Sequence, residues 1–205
     1  MEKDTVLNPK AMKVLQAARH VFFIHGFSGA TTDMIQREAK VSKSTVYAHF
    51  PNKEALFIAV IEFECAAFTD TVREITFVPG KLRETLTSIA QAYLAIVLTA
   101  KALALFRVVV AEAPRFPDLA HTLYQAGPKV IYEMTENLLV RAEQMGEIDL
   151  SELGKEITAN QFISLVRSEP QLQCLLHPEA TPSVVQIDKW ANDAVTTFLR
   201  AYGKR

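Results

Sequence analysis

The stretch TTDMIQREAKVSKSTVYAHF at residues 31–50 constrains the fold more than any other part of the chain. Thr31 and Ser42 are both good N-cap residues, because a side-chain oxygen there can accept from the free amides of a helix's first turn. Val41 lies between the two segments and can serve as a hydrophobic contact of the turn. The stretch therefore predicts two short helices joined by a tight turn.

Apolar residues spaced four apart show which side of each short helix faces inward. On the first helix these residues are Ile35 and Ala39, and on the second they are Val46 and Phe50. Residues four apart lie on one face of an α-helix. If this face packs against a small core, the polar residues of the second helix must point outward.

The outward face of the second helix is rich in hydroxyls and cations. It carries Lys43, Ser44, Thr45, Tyr47 and His49. Groups of this kind suit phosphates and base edges better than a protein core. The pattern predicts a helix-turn-helix unit whose second helix enters the major groove of DNA.

The roles of these groups follow from their positions along the helix. Lys43 and Ser44 lie at the N-terminal end of the reading helix, where contact with base edges is expected. Tyr47 and His49 can donate to phosphate oxygens, and Thr31 can present its hydroxyl to the same strand. In isolation these side chains could equally form an ordinary solvated face; their place in this motif favours DNA.

The charge distribution agrees with local attraction to DNA. The 205-residue chain has a net charge of −1, which does not by itself suggest a nucleic-acid binder. Residues 1–60 hold 8 Lys and Arg against 5 Asp and Glu, whereas the remaining residues hold 14 against 18. A basic N-terminal part on an acidic remainder favours contact through that part alone.

Nearly all the rest of the chain has helical periodicity, and no segment alternates long enough to predict a strand. We predict an all-α protein of about nine or ten helices. Predicted helix starts include Pro9 after the N-cap Asn8, the capping-box pair Asp149 and Glu152 for a helix to about Arg167, and Thr181-Pro182. Predicted breaks lie at Gly26, Pro79-Gly80, Pro114, Pro117, Pro128 and Gly146.

Cysteine usage and hydropathy favour a cytoplasmic protein that does not cross the membrane. The two cysteines, Cys65 and Cys174, are far apart, which excludes a disulfide framework and suits a reducing compartment. The segment 92–113 is the most apolar, but Lys101, Arg107 and Glu112 interrupt it. We expect a buried core helix rather than a membrane span, and no leader peptide is recognised.

Residues 14–56 closely resemble the DNA-binding domain of TetR/AcrR-family transcriptional regulators. The matching positions are Val14-Leu15, Ala17-Ala18, Phe22, Gly26-Phe27, Ile35, Val41-Ser42, Thr45, Tyr47, Phe50, Lys53-Glu54 and Leu56. A second stretch resembles one subgroup of that family's ligand-binding domains. It consists of Phe106-Arg107, Glu112-Ala113, Phe116-Pro117 and Leu119.

The resemblance implies a three-helix DNA-binding head at residues 1–52 and an effector-binding and dimerisation body at residues 53–205. It implies a ligand-responsive transcriptional regulator, usually a repressor, that binds a pseudo-palindromic operator as a homodimer. The positions matching Thr45, Tyr47, His49 and Lys53 would touch DNA. Lys53 begins the next predicted helix, where its charge adds to the helix dipole in facing a phosphate.

One position departs from the family pattern. The turn residue before Val41 is often glycine in the family, but here it is Lys40. A non-glycine residue in a left-handed turn costs about 1 kcal/mol, so we expect the turn to survive.

In this family the helices after Lys53 enclose a largely apolar effector cavity. The residues that fit such a cavity are Tyr93, Phe106, Arg107, Val110, Phe116, His121 and Tyr124. The alternative is that most of them pack the core. Arg107 has two interpretations as well: it anchors a ligand, or it pairs structurally with Glu112 or another acid.

The last two predicted helices carry more apolar residues than one contact face needs. They are Leu153, Ile157, Ile163 and Val166 on one helix, and Val184, Ile187, Ala191, Ala194 and Phe198 on the other. Two such helices from each subunit would form a four-helix interface, so we predict a homodimer through them.

Two other classes of protein remain to be weighed. An enzyme is disfavoured, because Cys174-x-x-His177 and Asp118-x-x-His121 are single pairs, and no serine nucleophile elbow or phosphate-binding glycine loop occurs. We therefore expect neither a metal nor a cofactor. The other alternative is a helical lipid- or protein-binding module without DNA binding, and the Thr45, Tyr47, His49 and Lys53 set argues against it.

Overall fold

The structure, a computed structural model, describes residues 8–204 apart from the side chains of residues 67 and 68. The described residues form ten α-helices and no strand, with an isolated bridge between Ile148 and Gly203. The helices are α1 (Pro9–Gly29), α2 (Thr32–Ala39), α3 (Lys43–His49), α4 (Lys53–Arg73), α5 (Leu82–Val97), α6 (Ala100–Glu112), α7 (Pro117–Ala126), α8 (Pro128–Gln144), α9 (Gly154–Leu176) and α10 (Val184–Tyr202). The predicted all-α class is confirmed.

The chain divides into two compact units. The first contains the residues up to 65 together with 104–124, and the second contains 66–103 and 125 onward. Helices α4, α6 and α7 each contribute residues to both units. The division into a DNA-binding head and an effector-binding body after residue 52 is a functional prediction and stays one.

Helix α1 begins where the sequence predicts, but at Gly26, where it was predicted to end, it bends and continues to Gly29. Asn8 caps it by accepting from the amide of Lys10 at 2.8 Å. Gly26 has a φ of 67°, which interrupts the helical conformation three residues before the helix ends. The chain after this kink turns Phe27 into the core, where its ring lies 5.9 Å from Phe22 and 5.2 Å from Phe57.

The helix-turn-helix has the predicted form. The Thr31 hydroxyl accepts from the amide of Met34 to start α2, and the Ser42 hydroxyl accepts from the amide of Thr45 to start α3. Lys40 ends α2 in the left-handed region, with a φ of 51°, and it is the one non-glycine residue at positive φ in the described chain.

Replacing Lys40 by glycine is expected to raise the free energy of unfolding by about 1 kcal/mol, because glycine adopts a left-handed conformation without a Cβ clash. Glu38→Gly is the matched control, since Glu38 is exposed within the same helix. That substitution should lower stability by about 1 kcal/mol. Urea unfolding of both variants measures the difference, and two changes of the same sign would contradict the prediction.

The core of the second unit lies among α5, α8, α9 and α10. The rings of Phe162 and Phe198 meet at 5.0 Å, and Leu86, Leu94 and Leu139 are fully buried. The C-terminal end is fixed to the loop before α9, since the Asp149 amide donates to the Tyr202 carbonyl at 2.9 Å.

Three predicted helix boundaries in this unit are wrong. Asp149 does not cap α9; its carboxylate accepts from the amide and hydroxyl of Ser151 within a turn, and the helix begins at Gly154. Helix α9 also continues through Pro170 to Leu176 rather than ending near Arg167. The N-cap of α10 is Ser183, not Thr181, because the Ser183 hydroxyl accepts from the amide of Gln186.

Within residues 8–204, no single helix is long and apolar enough to cross a membrane; only α5 and α6 taken together reach that composition, and a bend separates them. Cys65 and Cys174 are both buried as free thiols. Burial raises the pKa of the Cys65 thiol to about 12. The described residues contain no group of three His, Cys, Asp or Glu side chains placed to hold a metal ion.

Candidate nucleic-acid interface

Helix α3 is anchored on one side and open on the other. Val46 is 1% exposed and Phe50 7% exposed, whereas Tyr47 is 43% exposed. The helix has only seven residues, so these two apolar contacts hold it against the first unit while its polar residues face solvent. This is the amphipathic arrangement that the four-residue spacing predicts.

The hydroxyls at the start of α3 form a small network. The Ser42 Oγ lies 2.8 Å from Ser44 Oγ and 2.8 Å from Thr45 Oγ1. Each hydroxyl can donate and accept, so the network orients these groups without exhausting their capacity. The structure thus brings the predicted residues Ser44 and Thr45 together at the helix N-terminus, where backbone amides also face outward.

The two helices of the motif are also linked through Tyr47. Its hydroxyl lies 3.3 Å from the Thr32 hydroxyl, while the neighbouring Thr31 hydroxyl caps α2. This link holds the exposed ring of Tyr47 beside the start of α2. His49 is half-buried in the last turn of α3, and its ring lies 6.5 Å from that of Phe50.

Lys43 is paired with an acid that the sequence analysis did not single out. Its Nζ lies 3.0 Å from Asp33 Oδ1, and both side chains are 54% exposed. The hydrogen bond and the attraction from the Asp33 carboxylate raise the pKa of Lys43. The pair joins the first residue of α3 to the first turn of α2.

Lys53 has a structural role that its sequence position did not indicate. Its Nζ donates to the carbonyls of Phe27 at 2.9 Å and Ala30 at 3.1 Å, and it lies 4.5 Å from the centroid of the Phe27 ring. These carbonyls lie at the C-terminal end of α1, where helix carbonyls lack helical partners. Two of the three ammonium donors are therefore used within the fold, which leaves one for a phosphate.

Glu112, one of the acids predicted as a partner for Arg107, accepts two hydrogen bonds from Ser28. Its Oε1 accepts from the Ser28 amide and its Oε2 from the Ser28 hydroxyl, both at 2.8 Å. Arg115 also reaches the Ser28 hydroxyl at 3.3 Å. These contacts join the end of α6 to the turn before α2, and they span 84 residues, so no local sequence signal indicates them.

The candidate effector residues differ in their burial and in the compact unit to which they belong. Tyr93 belongs to the second unit and is 4% exposed; burial raises the pKa of its hydroxyl, against the opposing effect of the Arg167 side chain. The other six belong to the first unit. Phe106 and Arg107 are half-buried there, and Phe116 meets the Phe27 ring edge-on at 4.7 Å.

Three of these candidates lie on the surface of the first unit. Val110 is 54% exposed and Tyr124 is 50% exposed, and His121 is exposed as well. In this conformation none of the three side chains is enclosed as an apolar cavity wall would be. Their effector role stays a prediction; the burial of Tyr93 and the partial burial of Phe106 agree better with such a role.

Family models match most of the chain. The model of bacterial regulatory proteins of the tetR family matches residues 14–60, and the model of the AefR-like transcriptional repressor C-terminal domain matches residues 84–204. The HTH-type transcriptional regulator UidR of Escherichia coli is 30% identical over 149 residues, which are 71% of this chain and 72% of that protein.

Two further relatives agree. The repressor AcnR of Corynebacterium diphtheriae is 31% identical over 71 residues, so the match spans only 35% of this chain and 37% of that protein. The solved structure of the flavonoid-responsive regulator FrrA has a TM-score of 0.81 and 32% identity, and it covers 96% of this chain and 98% of its own. These relatives are transcriptional regulators, not enzymes. The chain belongs to the TetR family of transcriptional regulators.

Proposed function

We propose that this regulator is a repressor that binds a pseudo-palindromic operator as a homodimer and is released by a small, largely apolar effector. The observation that carries the proposal is α3, whose anchors Val46 and Phe50 are buried while Tyr47 is exposed beside Lys43. A regulator that reads chromosomal DNA would act in the cytoplasm.

In the proposed complex α3 lies in the major groove. Lys43 and Ser44, at its N-terminal end, face base edges, while Tyr47 and His49 donate to phosphates. Thr45 and the first turn of α2, after Thr31, contact the backbone of the same DNA strand as Tyr47 and His49. Lys53 offers its remaining donor to the backbone. In a dimer two such helices would sit about 34–36 Å apart, one turn of duplex.

The proposed dimer forms with a second copy of the chain through α9 and α10. Its contact face differs from the set of apolar residues predicted from the sequence. Ile163, Val166, Ala191, Ala194 and Phe198 are buried in the core of the second unit and cannot form that face. The exposed apolar residues on these helices are Leu153, Ile157, Leu165, Leu172, Leu176, Val184 and Val185.

The first five of these residues are separated by four, eight, seven and four residues along α9 and the turn before it, spacings that place them on one broad face of a helix. A groove of about 460 Å³ lies between α9 and α10 beside the stripe, and it is lined by Leu165, Phe198, Ala201 and Tyr202 among others. Exposed apolar surface of this extent suits a subunit interface.

The effector class follows from the family and from one relative. The chain matches an AefR-like repressor C-terminal domain, and FrrA, at 32% identity, is described as flavonoid-responsive. Within the first unit, Phe106 and Arg107 offer an apolar wall and a polar anchor of the kind a planar aromatic compound needs. An effector that favours a conformation with wrongly spaced reading helices weakens operator binding roughly 5–150-fold, for a coupling of about 1–3 kcal/mol.

DNA binding is tested by selecting duplexes from a random pool and measuring affinity against salt. We expect affinity to fall steeply, with a slope of about −0.9 per phosphate contacted. Tyr47→Phe removes one donor to a phosphate and should weaken binding about tenfold on any sequence. Tyr124→Phe, at another exposed tyrosine of the first unit, is the control and should have no effect. Binding that ignores salt would instead favour the lipid- or protein-binding module.

A further inference from the structure

On the proposed DNA-binding surface, the carboxylate of Asp33 lies beside the ammonium group of Lys43. Asp33 lies in the first turn of α2, and Lys43 is the first residue of α3. Their charged atoms are 3.0 Å apart and both side chains are 54% exposed. Exposed ion pairs contribute little to stability, so both charged groups can leave each other at little cost and bind other partners.

A carboxylate at this place works against nonspecific binding. Phosphates attract lysine regardless of sequence, and they repel a neighbouring carboxylate. Asp33 both neutralises Lys43 and adds a negative charge to the surface that meets the duplex. An acid here lowers affinity for random DNA, unless the operator supplies a group that the acid can bind.

The pair has the chemistry of one base-pair edge. In the major groove a G·C pair presents the acceptors O6 and N7 of guanine beside the N4 amino donor of cytosine. Lysine donates to the guanine acceptors, and aspartate accepts from the cytosine amino group. Lys43 and Asp33 hold a donor next to an acceptor, which complements that edge.

We propose that Asp33 is a specificity-determining residue and that Asp33 and Lys43 together read one G·C pair in each half-site. This inference rests on the proposed DNA-binding function. Lys43 donates to guanine, and the Asp33 carboxylate, which orients Lys43 in the free protein, accepts from cytosine. A·T and T·A pairs instead place the amino donor of adenine between two acceptors and add the thymine methyl group, so a lysine and an adjacent carboxylate do not match that order.

The experiment compares wild type, Asp33→Asn and Lys43→Gln on the selected operator and on duplexes with each half-site G·C pair replaced by A·T. Wild type should lose at least about tenfold in affinity at one of these positions. Both variants should lose that discrimination there and retain it elsewhere. Asp33→Asn should also bind random duplex several-fold more tightly than wild type, because its surface carries one negative charge fewer.

Glu38→Gln is the matched control, since it makes the same charge change at an exposed residue of the same helix. It should keep the wild-type profile at every position. An Asp33→Asn profile identical to that of wild type would overturn this inference alone. Wild-type protein that binds no duplex in a salt-dependent manner would overturn the proposed function, and this inference with it.

Discussion

Phe27→Ala is expected to lower the free energy of unfolding by about 3–5 kcal/mol, the usual cost of removing a fully buried phenylalanine ring. Phe27 is 0% exposed. Its ring contacts Phe22, Phe57 and Phe116, with centroids 5.9, 5.2 and 4.7 Å away, and Lys53 lies over it. The substitution removes the contacts that all four partners share.

The matched control is Phe23→Ala, because Phe23 lies on the same helix and is only half-buried. Urea unfolding followed by circular dichroism should show a clearly smaller loss for that variant. The Phe27 variant should also lose operator affinity, since the turn before α2 is no longer packed. Equal losses of stability for the two variants would show that Phe27 is not the centre of the first unit's core.

Leu172→Glu is expected to convert the proposed dimer into a monomer and to weaken operator binding by at least about 100-fold. Two half-site contacts on one particle gain affinity over a single contact by about 10²–10⁴-fold, and the monomer forfeits that gain. Leu172 is 57% exposed on α9, so a charge there is tolerated in the isolated chain but not in an apolar interface.

Light scattering gives the mass of each variant, and affinity for the selected operator gives the functional effect. Val110→Glu is the control, because Val110 is similarly exposed, at 54%, on α6 and outside the proposed interface. It should remain dimeric and bind as wild type does. A Leu172→Glu protein that keeps the wild-type mass would show that dimerisation, if present, uses another face.

The helix-turn-helix could be predicted from sequence because its determinants are local. A cap bonds two or three residues ahead, and Val46 and Phe50 face one way because four residues make about one turn. The same logic failed at Asp149, where a side chain suited to capping forms a tighter turn with Ser151 instead. Competing local hydrogen bonds of this kind cannot be ranked from spacing alone.

The exposed apolar residues of the proposed dimer face and the inward role of Lys53 could not be predicted from sequence, because both depend on distant parts of the chain. Apolar residues surround much of α9, and only the packed structure separates the buried Val166 from the exposed Leu165 beside it. Lys53 turns inward because its ammonium group donates to carbonyls at the end of α1, 23 and 26 residues earlier in the sequence. The resemblance to a family motif predicts that Lys53 contacts DNA, but it does not indicate that Lys53 also binds carbonyls within the fold.

The turn at residues 27–30 is held from two directions, and this has a consequence for signalling. Lys53, at the start of α4, donates to the carbonyls of Phe27 and Ala30 in this turn. Glu112, at the end of α6, accepts from the Ser28 amide and hydroxyl. The next residue, Thr31, caps α2. A displacement of either helix therefore pulls on the same few peptide bonds immediately upstream of the reading motif. In the proposed effector response, the DNA-binding head would therefore be reached through two independent contacts, and a variant that removes one of them would keep the other.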